Sequence, residues 1–280
     1  MALLVLAGLL WIGLHVGVAG TRLRGSLVAR IGERGFRVGF SLLSLGVIVL
    51  LVGAWRSADT MPLWFAPGWL RWLLALAMLP AFVLFVASVA RANPTAVGGG
   101  WQAGREVRGI QRITRHPMLW SFALWAAIHM IGNGDTASLV FFGTFLVTAL
   151  VGMPSIDTKL ARRAPEVWTG LAATTSILPF GAIAAGRNRL DWREIGWVPP
   201  VVGLLAWAAL LHLHPHLFGV PVLLLPLDSQ PFPNHSGSPK SGFRGHSCRK
   251  SLPRPMSMIR CARGLPVSSS PATSRDGLSG

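Results

Sequence analysis

Long apolar runs constrain this chain more than any other feature of its sequence. The first, Met1–Gly20, contains no Lys, Arg, Asp or Glu. A transmembrane helix needs about 20 apolar residues, because each residue rises about 1.5 Å and the hydrocarbon core is about 30 Å thick. The runs interpreted as spans are Met1–Gly20, Val38–Trp55, Trp69–Ala90, Pro117–Ile131, Thr136–Met153 and Ile195–Leu213. The sequence therefore predicts an all-α, polytopic transmembrane helix bundle of about six spans.

The charge of the chain is separated from its apolar runs. Hydrophobic residues make up 51% of the chain and charged residues only 13%, yet the formal net charge is +16. A soluble domain carries roughly 25% charged residues, so the composition favours a membrane protein with basic loops. Residues 231–280 are basic, rich in Pro, Ser and Gly, and lack an apolar run. This composition predicts a disordered C-terminal tail.

The basic loop residues predict how the helices cross the membrane. If 168–185 does not span, the loops after the first, third and fifth runs share one side. Those loops then hold every Lys and Arg before the tail except Arg56 and Arg71. Cytoplasmic loops carry an excess of Lys and Arg. We therefore expect a multi-pass protein of the bacterial inner membrane, with an uncleaved first helix and its N-terminus outside.

Histidine is the main polar residue within the predicted spans. His15 lies inside the first span, and His129 lies near the far end of the fourth. Polar residues in the bilayer cost free energy, so they are candidates for function. A neutral imidazole is a common metal ligand, but it also forms hydrogen bonds between helices. Position alone leaves both interpretations open for these two residues.

A third histidine, His116, begins the fourth span directly before a proline. Proline favours the first turn of a helix, so His116 is as good a candidate for a helix cap as for a ligand. His116 and His129 are about 20 Å apart along one helix and cannot share a metal ion. Two axial histidines would have to come from different helices.

The donor types favour haem over other metal centres. Both cysteines lie in the tail, and the spans hold no carboxylate cluster, so zinc and non-haem iron fit poorly. Bis-histidine haem needs two facing imidazoles and an apolar slot. Its propionates would favour an arginine such as Arg115.

Two acidic residues near span ends have structural interpretations. Asn133-Gly134-Asp135 predicts the turn between the fourth and fifth spans. Asp157 is expected to form an interfacial ion pair with a loop arginine or with Lys159. Such a pair contributes little stability.

Three stretches together resemble the NnrU family of bacterial membrane proteins. They are the run beginning GLHVGVAGTRLRG at Gly13, the segment Arg112–Lys159, and the terminal HPHLFGV. The most specific part is Arg115-His116-Pro117 with His129 and Asn133-Gly134-Asp135 at their spacing. The resemblance covers roughly 1–221. We therefore take 1–221 as an NnrU-like transmembrane domain and 222–280 as the disordered basic Pro/Ser-rich tail.

The resemblance implies a cofactor and its ligands. The family is associated with nitrite and nitric oxide metabolism in denitrifying bacteria. Its plant relatives include zeta-carotene isomerase, a haem b enzyme that acts on a cis double bond when its iron is reduced and an axial histidine is released. By position, the proposed metal ligands of that enzyme fall on His15 and His129. His116 and Arg115 are the further candidates for binding the cofactor.

Three functions are therefore expected from the sequence. The first is a haem b protein in nitrite and nitric oxide metabolism or its sensing. The alternative is a haem-dependent cis–trans isomerase of a polyene lipid such as a carotenoid, and the second alternative is a transporter or assembly factor. The expected partners are membrane lipids and either nitric oxide or an apolar polyene, with no nucleic acid.

Overall fold

The computed structural model describes residues 1–90 and 106–223, and these residues are almost entirely helical. The predicted tail from residue 224 onward and the loop between 91 and 105 lie outside the described residues. The helices are α1 (Ala2–Ile12, continued by a π-helical turn, Gly13–Val18), α2 (Leu23–Ser57), α3 (Gly68–Ala90), α4 (Pro117–Asn133), α5 (Thr136–Arg163), α6 (Pro165–Thr174), α7 (Gly181–Ala184), α8 (Trp192–Ile195) and α9 (Val198–Phe218). The predicted all-α fold is confirmed.

Helices form at all six predicted span positions. Four of them, α2, α3, α5 and α9, are long and apolar enough to cross a membrane. The apolar stretch Ala2–Val18 is shorter, and α4 has 17 residues. These helices are compatible with a multi-pass membrane protein.

Residues 168–185, which could from the sequence be a seventh span, a re-entrant piece or an interfacial helix, form no span-length helix. Helix α6 has 10 residues and ends at Thr174. An irregular stretch follows, in which Phe180 adopts a positive φ of 62°, and the one-turn helix α7 comes next. The chain therefore stays at one end of the bundle between α5 and α9.

The central core is built by α1, α2, α4 and α5. Leu4 and Ala7 of α1 pack with Leu51 of α2 and with Phe141 and Phe142 of α5 in one buried cluster. Helix α3 packs against α4, and α9 packs against α3. The last helix therefore lies at the edge of the bundle.

A tight turn makes α4 and α5 an antiparallel pair, as the sequence predicts. Gly134 ends α4 in the left-handed conformation with φ 63°, which glycine adopts without strain. Asp135 caps α5, because its side chain accepts a hydrogen bond from the Ser138 N–H. Asp135 also accepts one from Thr60 Oγ1 at 2.6 Å, which ties the loop before α3 to this turn.

Two close approaches show that α1 and α5 run in the same direction. A Cβ at Gly8 would lie 2.6 Å from Thr144 Oγ1, so only glycine lets the helices come this close. Eleven residues further along α5, Ser155 Oγ donates to Gly20 O at 3.1 Å. Since α4 and α5 are antiparallel, α1 and α4 are antiparallel as well.

Candidate functional site

His15 lies in the π-helical turn that continues α1. Single π turns within helices are often found at functional sites. His15 Nδ1 lies 3.0 Å from Trp11 O, and a carbonyl only accepts, so Nδ1 carries the proton. The imidazole stacks on the Trp11 ring with centroids 3.9 Å apart. The neutral ring therefore has its lone pair on Nε2.

His129 repeats this arrangement on α4. Its Nδ1 donates to Trp125 O at 2.8 Å, again four residues earlier in the helix. Its ring stacks on Phe142 of α5 with centroids 4.7 Å apart. Nε2 of His129, like that of His15, has no hydrogen-bond partner within the part of the chain that the structure describes.

The two histidines lie at different levels of the bundle, but their side chains lean toward each other. Gly8 lies beside Thr144 of α5 and Gly20 beside Ser155, so His15, which lies between the two glycines, is near the level of residue 150 on α5. His129 instead contacts Phe142 of α5. The offset is about eight residues, or roughly 12 Å. Helical side chains tilt toward the N-terminus of their helix, and α1 and α4 are antiparallel, so the tilts reduce this offset.

A series of aromatic contacts connects the surroundings of the two histidines. Trp11 contacts Phe145 with centroids 5.3 Å apart, and Trp125 contacts the same ring at 5.4 Å. No direct ring contact joins His15 and His129 among the described residues. The structure therefore places the two predicted ligands at opposite ends of one series of aromatic contacts.

The chemistry of this donor set fits the haem that the family implies. Two histidines from different helices each have Nδ1 held by a carbonyl and an Nε2 lone pair left for iron, the usual arrangement of metal-binding histidines. The surrounding rings are apolar, as the faces of a porphyrin require. His15 and His129 would hold the haem iron, and Trp11, Phe145 and Trp125 would supply apolar rings around it.

The other two predicted residues, His116 and Arg115, belong to a separate buried cluster. His116 Nε2 lies 2.8 Å from Asp157 Oδ1. Arg115 donates to Asp157 Oδ2 from Nε at 2.9 Å and from Nη2 at 2.7 Å. The His116 side chain is fully buried, and that of Asp157 is 8% exposed. His116 begins α4 and His129 lies near its end, so the structure does not bring these four residues to one site.

This cluster attaches the irregular segment after α6 to the bundle. The Arg115 N–H donates to Ser176 O at 3.1 Å. Thr114 Oγ1 and Trp120 Nε1 both donate to Ile177 O, at 2.7 and 2.8 Å. The Arg115 guanidinium also lies over the Trp168 ring of α6 at 5.2 Å. The ion pair therefore lies where α4, α5 and α6 meet.

The cluster changes two interpretations made from the sequence. Asp157 pairs with an arginine as expected, but the pair is buried between helices, and Lys159 instead donates to Ala19 O at 3.0 Å. His116 makes no side-chain cap bond to α4. Its Nδ1 is buried without a hydrogen-bond partner among the described residues. Nδ1 of His116 is therefore available to bind a metal, and His116 remains the rival candidate ligand.

Sequence reasoning did not place Trp11 beside His15 or Asp157 beside His116. The spacing of four between Trp11 and His15 is the signal for a shared helix face. Asp157 lay within the segment that resembles the family, but its partners are about 40 positions earlier, beyond what local spacing can show. Among the described residues, no group of three or more His, Cys, Asp or Glu side chains could hold a metal ion.

A second ion pair lies at the same end of the bundle, outside the spans. Arg112 donates to Glu194 through Nε at 2.6 Å and through Nη2 at 2.8 Å. The Gly109 N–H donates to the same carboxylate at 2.8 Å. The Arg112 hydrogen bonds, followed by that of Gly109, lower the pKa of Glu194 to about 2. This pair joins the turn Gly109–Arg112 to α8.

The chain is similar to known proteins over most of its described length. The model of the family described as NnrU protein matches residues 3–222. The 15-cis-zeta-carotene isomerase of Arabidopsis thaliana chloroplasts is 30% identical over 187 residues, which are 63% of this chain and 48% of the relative. That of Zea mays is 28% identical over 180 residues, 63% of this chain and 49% of the relative. The chain thus spans about half the length of these curated relatives. No solved structure matches it.

Proposed function

The chain belongs to the NnrU family, and on that basis we propose that it is a membrane-embedded cis–trans isomerase of a polyene lipid. The observation that carries the proposal is the similarity to two plant proteins named 15-cis-zeta-carotene isomerase. This favours the isomerase alternative over the first expectation from the sequence. A role in nitrite and nitric oxide metabolism stays a prediction, as does location in the bacterial inner membrane.

We further propose that haem b binds between His15 and His129. Their Nδ1 atoms donate to Trp11 O and Trp125 O, which holds each ring in one orientation and one tautomer. When bound, reduced haem would supply a Lewis-acidic iron for a double bond of the substrate. Isomerisation exchanges no atoms with solvent, so the site needs no acid or base.

The surroundings of the two histidines suit an apolar, conjugated substrate. Trp11, Phe145 and Trp125 offer flat aromatic faces on which a polyene can lie. The described helices expose large aliphatic side chains on their outer surface, so a substrate dissolved in the bilayer reaches the bundle from the side. The protein's part in the reaction is to orient the polyene and exclude water.

The proposal is tested with purified protein in detergent, supplied with haem b and reduced without oxygen. We expect a b-type haem spectrum and conversion of 15-cis-zeta-carotene to its 15-trans isomer, measured by chromatography. His15→Ala and His129→Ala should each lose the haem signal and the conversion. His212→Ala, at an exposed position on α9, is the matched control.

Two results would overturn different parts of the proposal. Haem-loaded wild type that leaves the substrate unchanged would remove the isomerase function. If His15→Ala and His129→Ala both keep the haem spectrum, the assignment of these two histidines as ligands is wrong. If His116→Ala then loses the haem spectrum, the iron is assigned to the Asp157 cluster instead.

A further inference from the structure

Helix α2 (Leu23–Ser57) is longer than a membrane span requires, and it is broken near its start. Its 35 residues would extend about 52 Å if the helix were straight, whereas the hydrocarbon core is about 30 Å thick. Gly32 has φ 74° and ψ 163°, a backbone conformation that is essentially restricted to glycine. The segment Leu23–Ile31 is therefore a separate helical arm, joined to the span at Gly32.

The contacts of Arg24 show that this arm leaves the line of the span. In a straight helix, Arg24 and Phe36 would be about 18 Å apart along the axis, which is more than the two side chains can bridge. The Arg24 guanidinium instead lies 5.1 Å from the centroid of the Phe36 ring, and its Nη2 donates to Glu33 at 2.6 Å. Glu33 lies directly after the break, so this ion pair fixes the angle between the arm and the span.

The length of the arm matches the distance that it has to cross. It begins a few residues after α1 ends and finishes where the span of α2 begins. Packed helix axes are about 8–10 Å apart, and the nine residues of the arm extend about 13 Å. The arm therefore lies across the end of the bundle, in the plane of the membrane surface.

The arm has an apolar edge that the bundle covers only in part. Leu23, Leu27 and Ile31 are spaced by four and lie along one side of the helix. Leu23 is 48% exposed and Ile31 is 56% exposed. The opposite side carries small exposed residues such as Ser26 and Ala29. A helix of this kind at the membrane surface places its apolar edge at the boundary between headgroups and acyl chains.

Positive charge that the protein does not neutralise lies beside this edge. Arg22, Arg30 and Arg34 are exposed, and within the part of the chain that the structure describes their side chains form no hydrogen bond or ion pair. Glu33 is the acidic residue of α2, and it is already paired with Arg24 and Arg37. The arm therefore offers three free guanidinium groups at the level of the lipid headgroups.

We propose that the arm of α2 is an interfacial helix that binds the headgroups of anionic phospholipids. The planar guanidinium groups of Arg22, Arg30 and Arg34 match the geometry of phosphate oxygens. Leu23 and Ile31 enter the acyl-chain boundary beside them. The ligand is a lipid rather than free phosphate, because the charges flank an apolar edge that free phosphate would leave exposed to water. This site is separate from the histidines and does not rest on the proposed function.

The test measures which lipids contact the arm. The full chain, with Cys248 and Cys261 replaced by Ser, carries a bimane fluorophore at Ile31→Cys or at Ala29→Cys and is reconstituted into phosphatidylcholine bilayers. A minor fraction of the lipid carries bromine on its acyl chains, which quenches bimane on contact, and is either phosphatidylglycerol or phosphatidylcholine. Because positions 29 and 31 lie on opposite sides of the helix, we expect stronger quenching at 31. At 31, brominated phosphatidylglycerol should quench severalfold more strongly than brominated phosphatidylcholine.

Matched double variants test whether the arm's own arginines cause this preference. An arginine near an anionic membrane surface contributes about fivefold to binding, so Arg30→Gln with Arg34→Gln should lower the preference for phosphatidylglycerol at least about fivefold. Quenching by brominated phosphatidylcholine should not change. Arg189→Gln with Arg193→Gln removes the same charge from exposed positions around α8 and should leave the preference at position 31 unchanged.

Three results would overturn the inference. If neither brominated lipid quenches the label at position 31, the arm lies in water. If both lipids quench it equally, the arm does not select anionic headgroups. If both double variants lower the preference alike, the net charge of the bundle end attracts the lipid and the arm has no site of its own. None of these results bears on the isomerase proposal.

Discussion

At the scale of single residues, the arrangement of hydrogen bonds around the histidines distinguishes their roles. In His15 and in His129, Nδ1 donates to a carbonyl of the same helix, and Nε2 has no partner among the described residues. His116 does the reverse, because its Nε2 faces Asp157 and its Nδ1 has no partner among the described residues. The first two therefore suit a ligand between helices, whereas His116 is held within a structural ion-pair cluster.

The Asp157 carboxylate should be the most sensitive residue of that cluster. Asp157→Ala would leave the Arg115 guanidinium buried without its carboxylate and remove the acceptor of His116. Breaking a buried pair by removing one partner costs about 3–5 kcal/mol. We expect a correspondingly lower unfolding midpoint in detergent, followed by circular dichroism. Asp59→Ala, at an exposed position, should leave it unchanged, and equal midpoints for the two variants would show that the cluster contributes nothing to stability.

The histidines could be singled out from the sequence, but the cluster could not. Charge-free runs made His15 and His129 visible as polar residues within spans. The cluster pairs Arg115 and His116 with a residue on another helix, and the Arg115 N–H with the irregular Ser176. Such pairings depend on how helices turn against each other, which hydropathy does not encode. The sequence likewise could not show that Trp11 Nε1 and Ser44 Oγ lack hydrogen-bond partners among the described residues, since this is a property of packing.

At the scale of elements, small residues decide how closely the helices approach. A Cβ at Gly203 of α9 would lie 3.0 Å from the Val83 Cα of α3, which is backbone and cannot move aside. Close approach at small residues is a common way for helices to associate in membranes. The sequence predicts both helices, but it does not show which glycine faces the partner.

Gly203→Leu should therefore loosen α9 from the bundle. Overpacking typically costs about 1–3 kcal/mol, and we expect a lower unfolding midpoint together with faster proteolysis after α8. Gly46→Leu is the matched control, because a Cβ at Gly46 of α2 would meet nothing within 4 Å. If both variants behave like wild type, α9 does not pack against α3 at this position.

The connection between the turn Gly109–Arg112 and α8 should depend on pH. The pKa of Glu194 falls from 4.5 to about 2 in the folded protein, so its carboxylate contributes stability above about pH 4.5. That contribution is lost as the pH falls from there toward 2. We expect the difference in unfolding midpoint between wild type and Glu194→Gln to be constant above pH 5 and to shrink in acid. A difference that grows on acidification would contradict the assigned pairing with Arg112.

At the scale of the whole molecule, the distribution of charge separates the two ends of the bundle. The end of the bundle at which α1 ends holds the basic residues near the start of α2 and those near α8. The opposite end carries Arg56 and Arg71. The buried pair Arg115–Asp157 and the partly buried pair Arg112–Glu194 also lie at the basic end. The irregular segment after α6 is attached at the same end of the bundle. That end therefore holds the two ion pairs and the irregular segment together.

The orientation that this asymmetry predicts can be measured with single cysteines. In a chain whose Cys248 and Cys261 are replaced by Ser, Asp59→Cys should react in intact cells with a maleimide that does not cross the membrane, whereas Arg189→Cys should react only after permeabilisation. Both positions are exposed, so access to water does not separate them. The basic loops are expected in the cytoplasm because Lys and Arg are retained there during insertion. The reverse labelling would place the N-terminus inside, and labelling of both from outside would mean that the chain between them crosses the membrane an even number of times.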